Sequence, residues 1–245
     1  MQHYTDVREL LPGMTAFPEP AAAFSDDQPW LADHLLPLLA VDLGVLRPEL
    51  AGTVVTLLCP IEPYEGCIGD DTQAWHTPFT SPNWLGFQLQ ADNRMRLLGQ
   101  EGYFRRAPQH ADSPLADEAL RLHAEDMHRS HARTRAFFMQ HGRLPNAMDS
   151  DDASVAGQAF LAHLGGPFQD GNWPDYERIP EALDLQYSQG STLGEDAKIR
   201  IQRDGRDFFP VASVPAYDWC AAGADAILMF YEPHSRTVLF TFDWS

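Results

Sequence analysis

The sequence predicts a β-rich α+β fold, with two β-sheet halves that share a pattern and one long central helix. Three observations predict it. Short β-branched and apolar runs bounded by Pro and Gly recur toward both ends of the chain, at 52–59, 84–90, 226–231 and 237–242. One stretch, 114–140, carries apolar residues at helical spacing with start and stop signals at its ends. The 245 residues, 44% hydrophobic and 21% charged, can bury a core, which excludes a disordered or collagen-like chain. We read 1–245 as a single compact domain, with halves 1–110 and 145–245 joined by helix 114–140.

Residues 1–28 read as irregular, broken by Pro12, Gly13, Pro18 and Pro20. Residues 30–36 read as a short helix ended by Pro37. The run 52–59 is a buried strand stopped by Pro60, and 60–83 is a loop rich in Pro, Gly and Asp. A second strand covers 84–90, alternating from Phe87, and Tyr103 and Phe104 belong to a weaker third. In the long helix Ser113 serves as N-cap, because its hydroxyl can accept a free amide of the first turn. Pro114 takes the first helical position, where a missing N–H costs nothing. Asp117 and Glu118 lie near the positive end of the dipole. Gly142 supplies the left-handed stop and Pro145 prevents continuation. Leu120, Ala124, Met127, His131, Thr134 and Phe138 form the inner stripe. A second helix covers 153–163, buried through Val155, Phe160 and Leu164 and ended by Gly165-Gly166. Residues 183–187 and 198–202 alternate as strands. The runs 226–231 and 237–242, separated by five residues, predict a hairpin with both strands central in a sheet. The final residues, 242–245, are therefore tied down.

A short strand, a loop, a Gly, a buried strand and Glu-Pro occur at 39–63 and again at 183–233, ending in Glu62-Pro63 and Glu232-Pro233. The pattern reads equally as an internal repeat or as chance.

The formal net charge is −18. It divides into −11 over residues 1–93, +3 over 94–143 and −10 over 144–245, and only one base, Lys198, is a lysine. Phosphate neutralisation needs a surplus of Lys and Arg, so the balance argues against nucleic acid, and equally against an anionic membrane surface. It describes either a solvated acidic surface or one that steers a basic protein partner. The N-terminus lacks the basic start and apolar run of a secretory signal, and no stretch approaches the roughly 18 apolar residues of a membrane helix. Cys59, Cys67 and Cys220, odd in number and without a CxxC, point to reduced thiols in the cytoplasm rather than to a zinc site.

The residues 163–169, His-Leu-Gly-Gly-Pro-Phe-Gln, with Trp173-Pro174, resemble the glycine-pair segment of the YwqG-like family of bacterial proteins. Downstream, 183–186 is similar to that family's strand with a terminal Gln or Asp, and 223–244 to its glycine-led final hairpin. The resemblance covers 155–245 and, more weakly, 30–60. It departs from the family in its His-to-Gly spacing and in the length of the middle helix. It implies a compact α+β fold with two related β-rich halves and no established reaction. Members occur in toxin–antitoxin-like gene neighbourhoods, which suits an immunity protein.

Two acidic regions stand out as partner-binding surfaces. Glu62, Glu65, Asp70 and Asp71 lie on a Pro/Gly-rich loop with Trp75 and Trp84 close by, so that acids steer and aromatics anchor; an ordinary exposed loop with core tryptophans is the plainer reading. Asp149, Asp151 and Asp152 form a run after the helix that is not an EF-hand, because its Gly and terminal Glu are misplaced; a helix cap is the plainer use of Asp152 or Ser150. An enzyme-like cluster, His123, Glu125, Asp126, His128 and His131, places Glu125 and His128, and His128 and His131, at i, i+3 on the long helix. It is not HExxH, and a solvated helix edge with one core histidine is the favoured reading. No GxSxG, P-loop or GxGxxG is present.

The sequence thus predicts a cytoplasmic protein without catalysis or cofactor. It acts as an immunity or inhibitor protein that neutralises a basic bacterial toxin by direct binding. The alternatives are a metal-dependent hydrolase using Glu125, His128 and His131, or a regulatory protein.

Overall fold

The computed structural model describes residues 2–63, 66–113, 117–146, 157–168, 173, 179–187 and 199–244. Within them the chain runs β1 (Tyr4–Val7), β2 (Met14–Ala16), α1 (Pro20–Ala23), β3 (Leu35–Asp42), β4 (Val54–Pro60), β5 (Thr80–Ser81), β6 (Trp84–Leu89) and β7 (Met95–Leu97). It continues through α2 (Glu118–His141), β8 (Leu161–Leu164), β9 (Asp184–Tyr187), β10 (Ile199–Arg203), β11 (Arg206–Asp207), β12 (Phe209–Val214), β13 (Ala226–Glu232) and β14 (Thr237–Asp243).

The expected C-terminal hairpin organises the fold. β13 and β14 pair in continuous antiparallel register from Ala226 opposite Asp243 to Glu232 opposite Thr237. They sit at the centre of an eight-stranded sheet of order β1-β8-β12-β13-β14-β6-β5, with β7 also on β6. Two three-stranded sheets, β2-β3-β4 and β11-β10-β9, complete the described strands, and every ladder is antiparallel.

The large sheet is covered on both faces. Ile227, Met229 and Tyr231 of β13, with Val238, Phe240 and Phe242 of β14, enter the main core shared with β3, β4 and α2. Their alternates Leu228, Phe230 and Leu239 enter a second core with Trp84, Trp173, Leu183, Ile201 and Phe208. Successive strand residues point to opposite faces, so a doubly covered strand is apolar along most of its length, and the buried Thr237 and Thr241 of β14 have hydrogen-bond partners in Arg203 and Asn83. That is why these strands read as largely apolar runs. The C-terminus is held as expected: Trp244 Nε1 donates to Asn83 Oδ1 at 2.7 Å, and Asn83 Nδ2 donates to the Phe242 carbonyl at 2.6 Å.

The long helix forms, but it starts later than expected. Asp117, not Ser113, is its N-cap, its side chain accepting the Leu120 N–H at 2.6 Å; Pro114 lies outside the described residues. Gly142 ends it in the left-handed region at φ 69°. The buried stripe is Leu120, Ala124, Met127, Ser130, Thr134 and Phe137; the expected His131 and Phe138 are half-buried beside it and pack on Phe17. The stripe contains Ser130 because its hydroxyl has two partners, donating to the Met127 carbonyl and accepting the Ala221 N–H.

Other expectations are corrected. Residues 1–28 contain β1, β2 and α1; β1 buries only Val7, too little alternation to show in sequence. Residues 29–33 form a 3-10 turn, and β3 then runs through Pro37, which sits beside a register shift between Pro37 and Leu39, where a strand tolerates a missing N–H. Tyr103 ends a 3-10 turn, and the third strand is β7. The predicted helix 153–163 is, in its described part, extended: 161–164 is β8, paired with β1 and β12. A short apolar run fits helix or strand by periodicity alone, and here its sheet neighbours decide. Gly165-Gly166 therefore follows a strand, and Gly165, at φ 76°, leaves room for the Gln2 carbonyl. β9 pairs with β10 and not with β13, whereas β3 pairs with β4, so the second copy of the proposed repeat does not have the topology of the first.

Candidate functional site

The acidic loop after β4 is built onto a buried segment, 101–110. Glu62 opens it, and its carboxylate is only 1% exposed. One oxygen accepts the Arg105 N–H at 2.7 Å and the other the Arg106 N–H at 3.1 Å. Burial pushes its pKa up to about 7, against the downward pull of those two amides and guanidinium groups. Glu62 is thus an internal anchor and not the surface contact the sequence assigned to it. A carboxylate in an acidic, Pro-rich stretch gives no sequence sign that two backbone amides far along the chain will bind it.

Beyond Glu62 the loop is pinned at several points. The Thr72 hydroxyl donates to the Tyr103 carbonyl at 2.6 Å. The Tyr103 hydroxyl, fully buried, donates to the Ser81 carbonyl at 2.9 Å, with those of Ile68 and Trp84 at 3.2 and 3.3 Å. The Trp75 ring, half-buried, lies against Gly102, where any Cβ would overlap it, and meets His110 edge-on at 6.0 Å. His110 Nε2 in turn bonds the Gly102 carbonyl at 2.7 Å. Asp70 and Asp71 are left exposed on this fixed frame. Asp71 faces Arg105 at 3.4 Å, and Arg105 also pairs with the α2 cap Asp117 at 3.0 Å, so one guanidinium ties the loop to the helix. Glu65 lies outside the described residues, as do Asp149, Asp151 and Asp152.

Beside this frame is a cleft of about 350 Å³ lined by Arg105, Arg106, Asp117, Glu118 and Arg121, among others. Its cations are already engaged: Arg121 with Glu118 and Glu125, Arg105 as above, and Arg106 with the Asp33 carbonyl at 2.6 Å. The cleft therefore has mixed charge rather than a free cationic wall.

The helix cluster does not converge. Glu125 pairs with Arg121 and Asp126 with Arg129. His131 turns inward, its Nε2 3.3 Å from the Pro37 carbonyl and its ring 5.3 Å from Phe17, and burial lowers its pKa to about 4. His128 stays on the exposed side of the helix, and burial lowers the pKa of half-buried His123. Among the described residues no three His, Cys, Asp or Glu side chains could hold a metal ion together.

Two features were not read from the sequence. His34 is buried, stacked on Phe104 at 4.3 Å and 8°, with neither ring nitrogen hydrogen-bonded among the described residues and Nε2 3.8 Å from Glu101. Burial, then the nearby Arg106 charge, lowers its pKa to about 3. Tyr217 is exposed on a 3-10 turn beside Asp218 and Asp225, and burial raises the Asp218 pKa to about 6. Neither sits in a periodic or motif-like context that would mark it in sequence.

Among the described residues no helix is long and apolar enough to cross a membrane. Comparison with protein-family models, with curated proteins and with solved structures finds no match to this chain.

Proposed function

We propose that this chain is a cytoplasmic binding protein of the immunity or inhibitor class, similar to the YwqG-like family, which neutralises a basic bacterial toxin by direct contact. The observation that carries the reading is the pinned loop: Asp70 and Asp71 exposed on a frame fixed by Glu62, Thr72 and Tyr103, with Trp75 half-buried beside them. A surface fixed before binding loses little conformational entropy on association, and its carboxylates accelerate encounter with a cationic partner. The net charge of −18 supports the same sign of partner.

The test is co-expression with the product of the adjacent gene, followed by titration of the purified pair. Rescue from toxicity and binding that weakens between low and high salt are expected. The Asp70→Lys/Asp71→Lys double variant should slow association about tenfold or more while the fold is retained. Absence of rescue together with absence of binding refutes the proposal.

A further inference from the structure

Cys59 and Cys220 are 161 positions apart in sequence and meet in the core. Cys59 lies in β4, at the inner side of the three-stranded sheet, and Cys220 lies in the turn that leads to β13 of the large sheet. β4 and β13 pack together. The Cys59 sulfur lies against the turn that carries Cys220, and it donates to the Pro60 carbonyl at 3.5 Å. Gly223 marks how near the two segments come. A Cβ placed on Gly223 would lie 3.7 Å from Cys59 Sγ, while the Cys220 N–H bonds the carbonyl of Ala216, whose methyl group abuts Gly223. Met127 of α2 reaches the same glycine, so the thiols sit where both sheets and the helix converge. Both cysteines are free and buried.

We propose that Cys59 and Cys220 form a dithiol site that peroxide converts to an intramolecular disulfide within the folded protein, stapling the three-stranded sheet to the large one. The inference is independent of the toxin-binding reading. Peroxide, little larger than water, oxidises one thiolate to a sulfenic acid and leaves as hydroxide. The neighbouring thiol attacks that sulfur, the S–S bond forms and water departs. Overall two thiols and one hydrogen peroxide give one disulfide and two waters, and the two electrons lost by sulfur reduce the peroxide. Thiols on two segments packed together in one core need little movement to bond, whereas cysteines far apart need backbone movement. The third thiol, Cys67, sits in the acidic loop and serves as an internal comparison.

The neighbouring Cys59 thiol, and then burial, raise the Cys220 pKa well above the usual thiol range. The thiolate is the reactive form, so the reaction is slow at neutral pH and quickens about tenfold per pH unit.

The experiment exposes the folded Cys67→Ala protein to hydrogen peroxide at pH 7.0 and 8.0, quenches it, and maps peptides by mass spectrometry without reduction. A Cys59–Cys220 peptide is expected, formed about tenfold faster at the higher pH, reversed by dithiothreitol, with unchanged far-ultraviolet circular dichroism and a raised urea midpoint. The Cys67→Ala protein oxidised in urea supplies the reference for an unrestrained chain. Three outcomes overturn the proposal. They are a folded protein whose thiols stay free under peroxide that oxidises the unfolded chain, a disulfide between molecules, and oxidation of Cys220 to sulfinic acid without a cross-link. In the wild-type chain a Cys59–Cys67 disulfide as the main product also overturns it.

Discussion

Replacing Glu62 with Gln tests whether its carboxyl is held neutral by burial. In an unfolded chain this glutamate titrates at about 4.5, and in the fold at about 7. Between those values the native state keeps the proton while the unfolded chain has lost it, so this group's contribution to stability is full below pH 4.5 and falls as pH rises toward 7. At 1.36 kcal/mol per pH unit the contribution lost between pH 5 and pH 7.5 is about 2 kcal/mol. Gln keeps one acceptor oxygen for Arg105 or Arg106 and turns an NH₂ toward the other amide, which costs about 1–3 kcal/mol at any pH. The assay is urea unfolding of wild type and Glu62→Gln at pH 5 and 7.5. His34 and His131 lose stability as pH falls below 6.5, but they do so in both proteins and cancel in the difference. Wild type should exceed the variant by about 2 kcal/mol more at pH 5 than at pH 7.5. A gap that is equal at the two pH values, or that narrows on acidification, refutes the reasoning, because the amide bonds would then outweigh burial and hold Glu62 ionised.

Three further outcomes follow from the same contacts. His34→Phe keeps the stack on Phe104 and removes a ring whose folded pKa is about 3; since the unfolded ring takes its proton below 6.5, wild type should lose about 2 kcal/mol more than the variant from pH 7.5 to 5 in urea titrations. Gly102→Ala drives a methyl group into the Trp75 ring, so thermal unfolding should show a loss of about 1–3 kcal/mol and tryptophan emission should shift, both absent if the loop is not pinned there. Asp117→Ala removes the α2 cap and the partner of Arg105 together, and should cost about 1 kcal/mol or more in chemical denaturation, with slower association of the toxin if the Arg105 link orients Asp71.

What the sequence made legible was whatever repeats along the chain. β13 and β14 were visible because both their faces are buried, which favours apolar residues at nearly every position. α2 was visible through Gly142 and its apolar spacing, although the cap moved from Ser113 to Asp117, because either side chain satisfies an amide equally well. β1 and β8 were missed for the opposite reason. Four-residue strands such as Tyr4–Val7 and Leu161–Leu164 carry too few alternations, and their identity comes from each other through the pairing of Tyr4 with Leu164. The candidate site was legible in outline, as an acidic loop with Trp75. Its construction was not: Glu62 is defined by amides 43 and 44 positions away, and His34 by the ring of Phe104. Such contacts leave no local pattern to read.

The same distinction changes what the charge means. By sequence, residues 94–143 form a basic band between two acidic segments, and a partner would seem to meet a cationic stripe. Among the described residues the structure pairs six of the band's nine arginines with carboxylates. Arg94 meets Asp26 and Asp92, Arg96 meets Asp27, Arg105 meets Asp71 and Asp117, and Arg135 meets Glu19. Arg121 and Arg129 pair along α2 itself. Exposed pairs of this kind each contribute roughly 0–1 kcal/mol to stability, so their main effect is on the field. A paired arginine looks nearly neutral from more than a Debye length, about 8 Å in physiological salt, while unpaired carboxylates do not. The acidic surplus therefore dominates the field an approaching partner meets, and the band that looked basic offers little counter-attraction. An acidic ligand would find few open cations on this band, whereas a basic one meets Asp70, which has no arginine partner among the described residues, on a frame that is already fixed.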